Sequence, residues 1–270
     1  MLADPRTVIP RRDLEGFRDH ALALADEARR QLRAFWNGVI EVKRKPDGSY
    51  VTDADLQIER QLRALVERAF PEHGIVGEEF GTHRPQAEFQ WIFDPVDGTE
   101  DFVQRIPTFG SIIALYYRGQ PIVGVLDIPI LETRVHAGYG LGAFRNNERL
   151  QLADLDPATA AGAVRIMLSA RANFVRHRDD GALFDAVTRS YPNHRIYRSC
   201  YAHVCAVTGQ ADATIDFGNP IWDIAAARIL IEEAGGAYRL VQDYETPQGR
   251  IYSSVFGRPS VVEKLSALLR

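Results

Sequence analysis

The stretch Trp91-Ile92-Phe93-Asp94-Pro95-Val96-Asp97-Gly98-Thr99 reads as a buried strand ending in two carboxylates three residues apart. The apolar residues before Asp94 suit a core strand, and Pro95 is expected to stop it. Asp94 and Asp97 then reach one strand end, where like charges repel unless a cation sits between them. Gly98 lets the backbone approach a ligand closely, and Thr99 adds a hydroxyl beside the acids. All-oxygen ligation suits a hard divalent ion such as Mg²⁺, which also shares phosphate oxygens. On these residues alone, a turn with a capped helix start is the competing reading.

Two further acidic sites shift that balance. Upstream, Ile75-Val76-Gly77-Glu78-Glu79 is again a short apolar run ending in Gly and carboxylates. Downstream, Trp222-Asp223-Ile224-Ala225-Ala226-Ala227 opens a helix expected over 222–233, with Asp223 in the first turn, where a carboxylate complements the helix dipole. Singly, Glu78 reads as a solvated loop acid and Asp223 as a helix cap. Together with Asp94 and Asp97 they outline a cation site.

The chain has 270 residues, a formal net charge of −4 and a pI near 6.0, which argues against a general nucleic-acid binder. No apolar run approaches the ~20 residues needed to cross a bilayer, so no membrane partner is expected. Residues 1–12 lack the apolar core of a signal peptide. The two cysteines, Cys200 and Cys205, have no Cys-x-x-Cys spacing, which fits buried thiols in a reducing cytoplasm.

Leu14, Phe17, Ala21, Leu24, Ala25, Ala28, Leu32 and Phe35 trace one face of a long first helix. A polar turn over 45–50 precedes a second helix starting near Asp53, with Leu56, Leu62, Leu65, Val66 and Phe70 inward. Apolar runs over 111–117 and 122–126 flank Arg118-Gly119-Gln120-Pro121 as a β-hairpin, and 133–137 adds a strand. Beyond residue 150 strands and helices alternate: strand 164–169, helix 182–190, strand 195–198, helix 200–208, strand 213–217, helix 222–233, strand 237–241 and helix 259–269. The fold class is therefore an α+β half, 1–150, carrying most candidate ligands, and an α/β half, 151–270, carrying Asp223. The seam falls near 145–160.

Four ordered segments resemble the motifs of the inositol monophosphatase-like, Mg²⁺-dependent and Li⁺-sensitive phosphatases. They are Lys45-Pro46-Asp47-Gly48-Ser49-Tyr50-Val51-Thr52-Asp53-Ala54-Asp55, then Gly77-Glu78-Glu79, then Asp94-Pro95-Val96-Asp97-Gly98-Thr99-Glu100-Asp101-Phe102. The last is Trp222-Asp223-Ile224-Ala225-Ala226-Ala227 with Glu233-Ala234-Gly235-Gly236. The resemblance covers roughly residues 12–270. It implies a layered αβαβα sandwich of the inositol monophosphatase and fructose-1,6-bisphosphatase type, with the metal site between the halves. It implies two or three Mg²⁺ ions. Glu78, Asp94 and the Val96 carbonyl hold the first; Asp94, Asp97 and Asp223 hold the second; Glu78 shares a third. Gly98 and Thr99 amides cradle phosphate, and Glu78 and Thr99 orient the attacking water. Taken alone Asp55 is a helix-start acid, but the resemblance makes it the partner of the Thr99 hydroxyl. A homodimer and a small phosphate-ester substrate are implied in the same way.

Substrate choice is expected in the second half, through Asp97, Ser199, Asp216 and Asp223, with Arg198 to His203 near the leaving group. Asp216 stands where an inositol phosphatase carries a Glu. The segment from Arg198 to Gly209 resembles the histidinol-phosphatase branch, although Ser199 replaces that branch's Asp. Tyr201 and His203 are equally read as helix packing, and Ser169 and Arg171 as surface residues or substrate contacts. Asp101 replaces the family's usual Asn and is either a cap or a cation partner. Lys45 either closes over the metal site or joins Lys43 and Arg44 in a solvated basic patch. The seven His lack zinc-ligand spacing, and no serine-hydrolase elbow or P-loop is present. The expected activity is Mg²⁺-dependent hydrolysis of a small phosphate monoester, inositol monophosphate first and histidinol phosphate second. Less favoured are a 3′,5′-bisphosphate nucleotidase and an inactive binding protein.

Overall fold

The computed structural model describes residues 4–45, 48, 50–156, 158–178, 180–247 and 249–269. Pro46, Asp47 and Ser49 of the motif at 45–55 lie outside them. Helix α1 (Arg11–Trp36) buries Leu14, Ala21, Leu24, Ala25, Ala28 and Leu32, the stripe its 3.6-residue period predicts. The segment expected as a polar turn is flanked by a hairpin, β1 (Val42–Arg44) and β2 (Tyr50–Thr52). Helix α2 (Asp53–Ala69) follows at once, opened by a capping box between Thr52 and Asp55. Its inward stripe is Ala54, Asp55, Ile58, Glu59, Leu62 and Val66. Leu56, expected inward, lies off that stripe and is half-buried.

α1 and α2 cover one face of an eight-stranded sheet. In chain order its strands are β3 (Gly74–Gly77), β4 (Gly81–His83) and β5 (Phe89–Asp97). After the short helix α3 (Thr99–Val103) come β6 (Gly110–Tyr117), β7 (Gln120–Ile128), β8 (Thr133–Gly138), β9 (Gly142–Arg145) and β10 (Glu148–Leu150). Their spatial order is β10-β9-β8-β7-β6-β5-β3-β4. The expected hairpin is β6–β7, turned by Arg118 and Gly119 at φ 48° and 76°, the paired positive φ of a tight hairpin turn. Ile113, Leu115, Val123 and Val125 pack toward α1 and α2, while Ile112, Leu126 and Ile128 serve a core on the opposite face. Burial on both faces explains why these strands read as continuous apolar runs.

The second sheet begins with β11 (Ile166–Leu168), followed by α4 (Arg171–His177), α5 (Ala182–Ser190) and β12 (His194–Ile196). Then come α6 (Cys200–Val207), β13 (Ala213–Asn219), α7 (Ile221–Ile224) and α8 (Ala227–Glu233). The long hairpin β14 (Ala237–Thr246) and β15 (Gly249–Gly257) precedes α9 (Pro259–Leu268). Strand order is β12-β11-β13-β15-β14, parallel on the β12 side and antiparallel on the other. α6 and α8 lie between the sheets, and α4, α5 and α9 close the outer face around Phe174, Val187, Val261 and Leu265. The layers are thus helices, sheet, helices, sheet, helices. No helix among the described residues is long and apolar enough to cross a membrane.

Three expectations change. β5 does not stop at Pro95: it runs on to Asp97 through a register shift between Asp94 and Asp97. A residue without an N–H is tolerated where the ladder is interrupted, and the Pro95 carbonyl accepts the Ser111 hydroxyl at 2.7 Å. The helix expected over 222–233 is two helices, broken at Ala225 and Ala226. There the Ala225 carbonyl accepts the Tyr116 hydroxyl at 3.0 Å. Strand 237–241 extends to Thr246 because it pairs with β15, which was not anticipated, and α4 was likewise missed.

Candidate metal centre

In a regular strand, residues three apart point to opposite faces. The irregularity in β5 undoes that alternation, so Asp94 and Asp97 turn to the same side. β3 runs parallel to β5 with Gly77 opposite Phe93, which sets Glu78 level with Asp94, and the Glu78 amide donates to the Phe93 carbonyl at 3.3 Å. Asp223 arrives in the first turn of α7, held against β5 by a small cluster of Ile92, Ala114 and Ala225 with Ile221 and Trp222. One carboxylate oxygen each from Asp94, Asp97 and Asp223 lie within 4.8 Å of one another. Asp94 is 2 % exposed and Asp97 7 %.

Such crowding disfavours the ionised forms. Burial, then the charges of Glu78, Asp97 and Asp223, push the Asp94 carboxyl well above its ordinary range. Burial also raises Asp223 strongly, against the pull of Arg198, whose guanidinium reaches it at 3.2 Å. Asp97 is raised by burial although the Cys200 amide donates to it. Three acids converging on one point, two of them buried and Asp223 partly so, each with its pKa raised, fit a divalent cation bound by hard oxygens.

Lys45 is no part of a solvated patch. Its ammonium is bonded to Glu78 at 2.8 Å and Glu79 at 2.6 Å, and those two charges raise its pKa despite the opposing effect of burial. The Glu78-Glu79 turn is fixed from below by Glu59, which sequence reasoning missed. Fully buried, Glu59 accepts the Glu79 amide at 2.8 Å and the Phe80 amide at 3.2 Å, and pairs with Arg63 at 2.7 Å. A glutamate four residues before an arginine on α2 was the available signal. Gly77 makes room for it: a Cβ there would meet the Glu59 carboxylate at 2.0 Å.

Thr99 follows Gly98, which adopts φ 80°, a conformation glycine takes readily. The Thr99 hydroxyl lies 3.0 Å from the Val96 carbonyl and 3.4 Å from Asp55 Oδ1. Asp55 Oδ2 meanwhile accepts the Thr52 amide and hydroxyl at 2.8 and 2.6 Å. Helix start and Thr99 partner are therefore one carboxylate, raised to about 7 mainly by burial.

Glu78, Asp94, Asp97, Thr99 and Asp223 line an open cleft of about 560 Å³, together with Gly98, Arg198 and Ser199, whereas Asp55, Lys45 and Glu59 stand behind its wall. Ser199 sits at φ 90°, and its buried hydroxyl has no partner among the described residues. Asp216 does not line the cleft: it is 3 % exposed and bonded to His203 Nε2 at 2.7 Å. That bond and Arg198 lower its pKa against burial. Ser169 is buried and accepts the Phe217 amide, and Arg171 pairs with Asp185; Ala170 and Asn173 reach the cleft instead. Tyr197 also lines the cleft and was missed, since nothing local marks it.

The sequence profile of the inositol monophosphatase family matches residues 13–257. A histidinol-phosphatase of Mycobacterium tuberculosis is 35% identical over 236 residues, covering 85% of this chain and 89% of that protein. An inositol-1-monophosphatase of Mesorhizobium japonicum is 32% identical over 203 residues, 73% of this chain and 74% of that protein. The structure of an inositol monophosphatase from Zymomonas mobilis superposes with a TM-score of 0.80 at 26% identity, over 94% of this chain and 98% of that one. With a profile match over most of its length and relatives above 30% identity, the chain belongs to the inositol monophosphatase family and is a phosphoric monoester hydrolase.

Proposed function

We propose that the chain hydrolyses a small phosphate monoester with Mg²⁺ held by Asp94, Asp97, Asp223 and Glu78 and the Val96 carbonyl. The observation that carries this reading is the convergence of three carboxylates, two buried and one partly buried, within 4.8 Å. Mg²⁺, when bound, supplies a Lewis acid that acidifies water and offsets phosphate charge. The chain's own residues do the positioning. Gly98 and Thr99 present backbone N–H groups to the phosphate from the turn that opens α3. Asp55 holds the Thr99 hydroxyl, which orients a water by hydrogen bonding, with Glu78 receiving its proton. Lys45 must give up Glu78 when a cation takes its place.

Among esters, histidinol phosphate is the favoured substrate. The Mycobacterium tuberculosis relative carries that activity in its name. Asp216, the acid expected to grip inositol hydroxyls, is occupied by His203. Inositol 1-phosphate is the second reading, supported by the name of the Mesorhizobium relative. The test is phosphate release with and without Mg²⁺ and Li⁺, from histidinol phosphate, inositol 1-phosphate, fructose 1,6-bisphosphate and adenosine 3′,5′-bisphosphate. We expect Mg²⁺-dependent, Li⁺-inhibited turnover, fastest on histidinol phosphate. Undiminished turnover in chelator would refute the metal assignment, and a preference for inositol 1-phosphate would replace the substrate.

A further inference from the structure

Asp101 enters the cleft from the first turn of α3, four residues after Asp97. Its Oδ2 lies 2.7 Å from the Thr108 hydroxyl and 2.8 Å from the Tyr197 hydroxyl, which are also in contact with each other, so two protons are shared around a triangle of oxygens. Two hydroxyls on one oxygen fix the plane of the carboxylate. No hydrogen bond reaches Oδ1 among the described residues. Tyr197 packs edge-on against Tyr201 at 5.2 Å. Burial, and the charge of Asp101, keep its hydroxyl protonated and so a donor. The carboxylate is thus built into the wall, apart from the cluster of Asp94, Asp97 and Asp223.

The charges around it decide what it can receive. Arg198 is committed to Asn219 at 2.8 Å and to Asp223 at 3.2 Å. Arg44 is bonded to Tyr50 and stacked on its ring. Asp101 and its neighbour Glu100 place two carboxylates on this part of the cleft wall, which also holds the Arg44 guanidinium. A carboxylate accepts hydroxyls and ammonium groups alike, but only the ammonium adds the Coulomb attraction of an opposite charge. A second phosphate set against Asp101 would be repelled.

We infer that Asp101, braced by Tyr197 and Thr108, is a specificity-determining residue that selects phosphate esters whose leaving group carries a protonated amine and disfavours bisphosphates. This deepens the substrate reading above and rests on it.

The experiment compares kcat/KM for histidinol phosphate, glycerol 2-phosphate and fructose 1,6-bisphosphate in the Mg²⁺-loaded enzyme and in Asp101→Asn. The amide keeps an oxygen for Thr108 and Tyr197 and removes only the charge. We expect the amine-over-neutral ratio to fall about tenfold, equivalent to about 1.4 kcal/mol, and the neutral-over-bisphosphate ratio to shrink as well. The wild-type amine preference should weaken with added salt, and the variant's should not. Tyr197→Phe should raise KM for histidinol phosphate with little change in kcat. A wild-type enzyme without amine preference would remove both the substrate reading and this inference. A wild-type preference that survives unchanged in Asp101→Asn would overturn the inference alone. An equal loss on all three esters would make Asp101 structural and overturn it too.

Discussion

The Thr99 hydroxyl lies 3.4 Å from Asp55, the same carboxylate that closes the start of α2 through Thr52. One buried acid thereby ties a helix terminus to a hydroxyl on the cleft wall. Removing that hydroxyl while keeping its volume, in Thr99→Val, should lower kcat by roughly 10²-fold and leave the unfolding midpoint nearly unchanged. Thr99→Ser should retain most activity. Steady-state kinetics on both variants checks this, and an active Thr99→Val would remove the hydroxyl from the mechanism.

The raised carboxyls fix the sign of a pH effect. Asp55 is moved from its ordinary 3.8 to about 7. Across that window the folded chain keeps a proton that the unfolded chain has released, so stability from this group falls as pH rises. Asp94 and Asp223, raised by burial and by neighbouring acids, act in the same direction. In chelator the protein should melt higher at about pH 5 than at about pH 8, and Mg²⁺ should narrow the gap by favouring the ionised forms. A reversed order in chelator would contradict the burial assigned to these groups.

Asp94 faces both proposed ion positions, so Asp94→Asn should reduce phosphate release by at least about 10³-fold. The fold should survive, because the change removes a buried charge crowded by other acids. The midpoint rise that Mg²⁺ gives the wild type should disappear. Turnover near wild type would sink the ligand assignment.

Ser199 holds φ 90° and ψ 177°, a region that favours glycine. It is pinned from both sides: the Cys200 amide donates to Asp97, and Arg198 reaches Asp223. Ser199→Gly should therefore stabilise the fold by about 1 kcal/mol, raising the midpoint by roughly 2–4 °C. Thermal unfolding measures it, and a lower midpoint would show that the serine hydroxyl finds a compensating partner.

What the sequence made legible was local. The first helix, the β6–β7 hairpin and the acids at Asp94, Asp97 and Asp223 each announce themselves within a few residues. The αβαβα layering came from resemblance, and the three larger cores among the described residues account for it. What stayed hidden depends on distant partners. β15 earns its place by pairing with both β13 and β14. Lys45 turns inward because Glu78 and Glu79 await it 33 and 34 residues on. Asp216 looked like a substrate group until His203, on another element, claimed it.

The interrupted ladder between Asp94 and Asp97 makes this site a matter of counting. Closing that shift at the present spacing would turn one carboxylate to the opposite face, whereas deleting one residue would keep both acids on one face but remove the bulged backbone in which the Val96 amide donates to Asp94. Insertions and deletions should be tolerated in the loops of this fold but not across these four positions. Spacing, as much as residue identity, is what a redesigned or diverging version of the chain has to preserve.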